Sequence, residues 1–209
     1  MKILRIYSRA VEAKDFPGSG KSNKATSQYS CPEWARAYAL HYKIRENGFA
    51  AKRLIELEQE FQQLPTSSIP NGEICKLYKN ALSAAEAEVL SEHFDIVFCT
   101  CNETCSTRVT KWIKPRQCIV DECGMVNEPE TIVSIASSEH VVLMGDHKQL
   151  QPVIDYRPAG ENGLSTSLFQ RYAEKFAGQY MKTLTVQYRM VRCSYNVVIN
   201  SYYTLIYFL

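Results

Sequence analysis

The chain has 209 residues and a mass of 23.9 kDa, enough for one sizeable core and the beginning of another domain but not for two full-sized ones. Hydrophobic residues at 45% and charged residues at 22% are ordinary for a globular protein, which excludes wholesale disorder, collagen-like repeats and a coiled coil. Twenty-four basic against 22 acidic side chains leave +2, so no global field marks a nucleic-acid or membrane binder and any such partner must meet a local patch.

In chain order, Ile3 to Tyr7 reads as a short strand, and Arg5 within it leaves no apolar run long enough for a secretory signal. The polar stretch from Arg9 to Ser30 follows neither helical nor strand periodicity and is expected to be a loop. Pro32 to Glu46 carries Trp34, Ala37, Tyr38 and Tyr42 at helical spacing and stops at Asn47-Gly48. Ala51 to Leu64 and Glu73 to His93 read as two further helices, so the first 94 residues are mainly helix and loop.

From Asp95 the texture changes to short apolar runs alternating with amphipathic segments. Asp95 to Thr100, Gln117 to Asp121, His140 to Gly145 and Met181 to Val186 read as strands, with helices expected at about 103–113, 129–138 and 164–177. Runs that are apolar throughout imply strands covered on both faces, and their alternation with helices implies a parallel sheet. The apolar run Tyr202 to Leu209 is far shorter than the roughly 20 residues that cross a bilayer, so an intracellular protein, cytoplasmic or nuclear, with no membrane partner is expected. The eight cysteines (Cys31, Cys75, Cys99, Cys101, Cys105, Cys118, Cys123 and Cys193) lack the density of a secreted scaffold and are expected to be reduced.

Three segments carry chemistry. The strand Gln117 to Asp121 is followed by Glu122, and a buried strand ending in two carboxylates suits an NTPase, one carboxylate holding Mg²⁺ while its neighbour orients a water. A strand ending in a polar turn would look the same taken alone. The strand ending at Gly145 runs into Asp146-His147-Lys148-Gln149; the glycine suits a sharp turn, and Gln149 is a neutral amide able to bond phosphate or water. After the next strand come Gln187, Tyr188, Arg189 and Met190, where the guanidinium matches the charge that develops on a transferring γ-phosphoryl group.

Together, DECG at 121–124, GDHKQLQPV at 145–153 and QYRM at 187–190 resemble the superfamily 1 helicases of the group that includes the nonsense-mediated-decay helicase and the helicase-with-zinc-finger proteins. The resemblance is specific over about 95–190 and looser before it. It implies an α/β fold, a parallel-sheet RecA-like P-loop NTPase fold present in part, with a helical N-terminal portion over about 9–94. Residues 1–186 would then belong to a first RecA-like domain and 187–209 would begin a second. The same resemblance implies ATP and Mg²⁺ as cofactors and single-stranded RNA or DNA as partner, within a larger multidomain helicase. By it Asp121 would hold Mg²⁺ through water, Glu122 would be the general base, and Gln149 would couple the γ-phosphate to the nucleic-acid grip. Asp146 would join Asp121 in binding the cofactor, Arg189 would reach the γ-phosphate, Tyr188 would stack on adenine, and Thr100 would contact a backbone phosphate. Each of these residues ends or follows a strand, so all are expected on the carboxyl edge of one sheet.

An NTPase of this kind also needs a phosphate-cradling loop. Asp15 to Ser22 matches G-x-x-x-x-G-K-[ST] except at the first glycine, but no buried strand precedes it and no apolar helix follows, so a surface loop is expected there and negligible ATPase activity in the isolated chain. A non-catalytic RecA-like module that binds nucleic acid or protein is the alternative reading. Cys99, Cys101 and Cys105 lack the paired spacing of a zinc site, and none of the four histidines has a companion at metal-ligand spacing. Arg108, Lys111, Lys114 and Arg116 around Trp112 suit either single-strand binding or a solvated face.

Overall fold

The computed structural model describes residues 1–16, 29–46, 48–63, 72–176 and 181–184, together with the backbone of a strand at 203–208. The chain divides into two compact units, Met1–Ile113 and Lys114–Leu209. The cysteines among the described residues are thiols, and no helix there is long and apolar enough to cross a membrane.

In the first unit, β1 (Ile3–Arg5) pairs in parallel with β2 (Ile96–Phe98), Leu4 lying opposite Val97. The stretch expected to be a loop begins instead with a helix, α1 (Arg9–Asp15), because Glu12 on its first turn is drawn into a buried charge network, a tertiary force that periodicity does not register. The single helix expected over 32–46 is broken. A 3-10 turn at Glu33–Tyr38 gives way to Ala39 in extended conformation, bridged to Arg5, before α2 (Leu40–Lys43) resumes. The helices α3 (Phe49–Gln63) and α4 (Gly72–Leu90) follow the sequence reading closely, and their Leu54, Leu57, Tyr78 and Leu90 bury against Leu4, Ile6, Leu40 and Ile44. The helix expected at 103–113 is two short ones, α5 (Cys101–Thr104) and α6 (Thr107–Trp112), separated where Ser106 turns extended.

The second unit holds a four-stranded sheet in the order β3 (Gln117–Val120), β4 (His140–Gly145), β6 (Tyr203–Phe208), β5 (Met181–Leu184). β3 and β4 are parallel, as expected, but β6 is antiparallel to both of its neighbours, so the sheet is mixed. One continuous parallel sheet is therefore not formed: among the described strands β2 pairs only with β1. Nor are the strands covered on both faces within these small sheets, since Phe98 and Ile119 are more than half exposed at 51% and 59%. The helix α7 (Glu128–Ile135) is started by Asn127, whose side chain accepts from the Glu130 amide, with Pro129 in its first turn. A short helix α8 (Arg157–Ala159) runs into a π-type turn that breaks at Gly163, and α9 (Leu168–Lys175) is capped by Ser167. α9 packs on α7, buries Leu168 and Phe169, and pairs Arg171 with Glu128.

Arg108 organises the first unit's polar interior. Rather than lying on a basic face around Trp112, its side chain is 7% exposed and donates to Glu12, Glu86, Glu103 and the Tyr7 carbonyl. Arg9 adds a second cation beside Glu86 and Glu12. Three carboxyl groups thus share two guanidiniums, and burial pushes Glu12 from its ordinary 4.5 up to about 7 even though both arginines pull it down. The folded protein holds that proton more tightly than the unfolded chain, so the stabilisation is fully present below about pH 4.5 and is lost as the pH rises through 7. Chemical denaturation between pH 4.5 and 8 is expected to show a decline of roughly 2–3 kcal/mol that Glu12→Gln flattens.

Candidate functional site

The parallel pairing of β3 with β4 sets Val120 opposite Leu143, so the chain leaves both strands at the same edge of the sheet. Asp121 and Glu122 follow β3 there and are exposed; Asp146 follows β4. Glu122 adopts φ 52° and ψ 35°, the left-handed region, and is the only non-glycine among the described residues with positive φ. That conformation crowds Cβ against the following carbonyl and costs about 1–2 kcal/mol in a residue other than glycine. One stabilising contact is visible: Asp121 Oδ1 accepts the Glu122 amide at 3.0 Å.

What forces the turn is the close approach of the two strand ends. A Cβ on Gly124 would lie 2.7 Å from the Asp146 carbonyl oxygen, and one on Gly145 would lie 2.9 Å from the Gly124 nitrogen. Gly145 was expected to serve a sharp turn, yet its φ is not positive; it is needed because backbone passes against backbone. Cys123, fully buried in the 3-10 turn Cys123–Met125, ties the same junction by donating its thiol to the Met144 carbonyl at 3.0 Å.

Asp146 is 4% exposed and its carboxylate is committed inside the protein. Oδ1 accepts the Lys148 amide at 2.9 Å and Oδ2 accepts Gln149 Nε2 at 3.0 Å, while the Asp146 carbonyl accepts the Gln149 amide at 3.3 Å. Asp146 therefore fixes the Gln149 side chain on the edge that carries Asp121 and Glu122. The buried Nδ1 of His147 has no hydrogen-bond partner among the described residues, and its ring lies 6.3 Å from that of Phe169.

The remaining expected residues are distributed differently. Thr100 stands exposed at the carboxyl end of β2, on the two-stranded sheet of the first unit. Tyr188 and Arg189 lie outside the described residues, as does Gly18 to Ser22. Thr204 of β6 pairs with Gly145 on one side and Thr183 of β5 on the other, so β5 ends level with β4. The sequence reading missed the left-handed Glu122 and the Cys123 tie. Two glycines following closely on two apolar strands were the available signal for the close approach.

A profile of the AAA domain family matches residues 17–156. Among curated proteins the chain is 35% identical to the mouse 3'-5' exoribonuclease HELZ2 over 93% of this chain and 7% of that protein. It is 34% identical to the Arabidopsis thaliana Regulator of nonsense transcripts 1 homolog over 97% of this chain and 14% of that protein, and 36% identical to the Saccharomyces cerevisiae ATP-dependent helicase NAM7 over 66% and 13%. The chain thus spans between 7% and 14% of the length of these relatives.

The junction makes opposite demands at two neighbouring positions. Gly124→Ala pushes a methyl into the Asp146 carbonyl and is expected to cost about 1–3 kcal/mol. Glu122→Gly relieves the left-handed strain and is expected to raise stability by about 0.5–1 kcal/mol, after the flexibility it adds to the unfolded chain. Urea denaturation of both variants beside the parent checks the pair, and a destabilised Glu122→Gly would show that the side chain contributes to the fold.

Proposed function

This chain belongs to the AAA domain family, and on that premise we propose that it is part of the motor of an ATP-dependent helicase, hydrolysing ATP at the β3–β4 edge to drive movement along single-stranded RNA or DNA. The observation that carries the reading is Glu122, held in a strained turn one residue beyond Asp121 on the edge where Asp146 orients Gln149. Strain of this kind concentrates where a side chain has chemical work.

The donor chemistry fits the divalent cation that such a reaction uses. Asp121 is an exposed, hard oxygen donor with one oxygen on the Glu122 amide and the other available to hold Mg²⁺ through water. Bound Mg²⁺ would neutralise charge on the β- and γ-phosphates. Glu122, exposed beside it, accepts at its carboxylate the proton of the attacking water. Gln149, its amide fixed by the buried Asp146, senses the γ-phosphate from the neighbouring loop; Asp146 is a positioning residue. The resemblance assigns Arg189 to the γ-phosphate, Tyr188 to adenine and Thr100 to a backbone phosphate of the strand. On this reading the segment works within a multidomain motor inside the cell, in cytoplasm or nucleus.

Single-turnover hydrolysis and nucleotide affinity, compared for two variants of the full protein, test the assignment. Glu122→Gln is expected to leave Mg²⁺-ATP binding nearly intact and to slow hydrolysis by roughly 10²–10⁴. Asp121→Asn should weaken Mg²⁺ and nucleotide binding together. Parental hydrolysis rates in Glu122→Gln would remove the base from this position, and a parent that binds nucleic acid without hydrolysing ATP would favour the non-catalytic module.

A further inference from the structure

We propose that Asp15, Cys31 and His41 form a zinc site that clamps the end of α1 to the start of α2. The three residues come from the last position of α1, from the segment just before the 3-10 turn, and from α2. Their ligand atoms all lie within 4.8 Å of one another, and they are the one such group of histidine, cysteine and carboxylate among the described residues. Cys99, Cys101 and Cys105 make no such group among those residues. The histidines have no companion at metal-ligand spacing along the chain; the fold is what brings His41 to Asp15 and Cys31.

The cluster is a built site rather than a surface coincidence. Cys31 and His41 are each 2% exposed, and the Asp15 side chain is 8% exposed. Asp15 Oδ2 accepts the Cys31 amide at 3.1 Å and faces His41 Nε2 at 3.0 Å. The hydrogen bonds do not close the set, because the buried His41 Nδ1 has no partner among the described residues. Around the imidazole stand three aromatic rings, Tyr7 at 5.5 Å, Phe16 at 6.1 Å and Tyr42 at 4.8 Å between centroids. Two of these rings are tyrosines whose side chains hydrogen-bond into the cluster, Tyr7 to Cys31 and Tyr42 to Asp15, so the aromatic surround also holds the ligands' orientation.

A thiolate, an imidazole and a carboxylate make up a donor set suited to zinc, with a fourth position left for water or for the nearby Tyr7 hydroxyl. The soft sulfur disfavours Mg²⁺ and Ca²⁺, which take oxygen ligands. Tetrahedral zinc at its usual bond lengths holds such ligand atoms roughly 3.3–3.6 Å apart, so the widest separation in the cluster needs to close by up to about 1.5 Å. On binding, zinc takes the imidazole lone pair, and the Cys31 thiol proton leaves to solvent. No sequence motif announces the site, since the ligands are 16 and 10 residues apart on irregular structure.

The test is made on the purified 209-residue chain after chelator treatment. Zinc added in competition with a chromophoric chelator of micromolar affinity is expected to load one equivalent per chain, undiminished by millimolar Mg²⁺. Co²⁺ in its place should give the thiolate-to-cobalt charge-transfer band of a tetrahedral site. Cys31→Ser should abolish that band, and Asp15→Asn should weaken zinc by more than roughly 100-fold, beyond the loss of an outer-shell partner. Cys105→Ser, at an exposed thiol outside the cluster, should change neither readout. Failure of the parental chain to hold zinc against the chelator overturns the proposal whatever the variants do, and so does a thiolate band that survives in Cys31→Ser.

Discussion

Everything at the carboxyl edge of the β3–β4 pair depends on one steric constraint, the passage of the Gly124 backbone against the backbone of Gly145 and Asp146. A side chain on either glycine would separate the two turns. With both absent, Cys123 can reach the Met144 carbonyl and the turn after β3 must tighten at once. The tightening falls on Glu122, which takes up the left-handed conformation. Asp146 is carried beneath the same junction, where its carboxylate orders the loop to Gln149. Three side chains from two loops are thereby set on one edge by a contact that involves none of their functional atoms.

The first unit solves a different problem, that of keeping charge in an interior. Arg108 is buried because three carboxyl groups and a backbone carbonyl use its donors, the planar fork being matched to several acceptors at once. Burial disfavours the charged carboxylate, which is why Glu12 lies far above an ordinary glutamate even with two guanidiniums beside it. The network joins α1, α4, α5 and α6. It fixes their positions more than it adds stability, since a buried ion pair must first offset the desolvation of its members.

How much of this could be read from the sequence follows the range of the forces involved. Strands announced themselves as apolar runs, and α3 and α4 as helical periodicity, because burial against a core leaves a local pattern. Breaks within helices did not: Ala39 and Ser106 are ordinary residues made extended by a bridge to Arg5 and by the turn into α6. α1 was missed since Glu12 is held by Arg108, 96 residues away, and no local pattern records so distant a partner. Gly145 was singled out for the wrong physical reason, as local sequence cannot distinguish a glycine that turns from one that lets another chain pass. The direction of β6 against its neighbours was equally invisible, because strand pairing is decided between segments.

The candidate site was legible for a reason that separates it from the rest of the fold. Its carboxylates are adjacent in sequence and its amide lies a few residues beyond the next strand, so chemistry and spacing coincide along the chain. The structure adds an asymmetry that spacing could not supply. Asp146 is buried and committed, whereas the exposed Glu122 side chain has no hydrogen-bond partner among the described residues. A residue that strains its backbone and returns no packing to the fold is poorly explained by stability, for a glycine would serve the turn better.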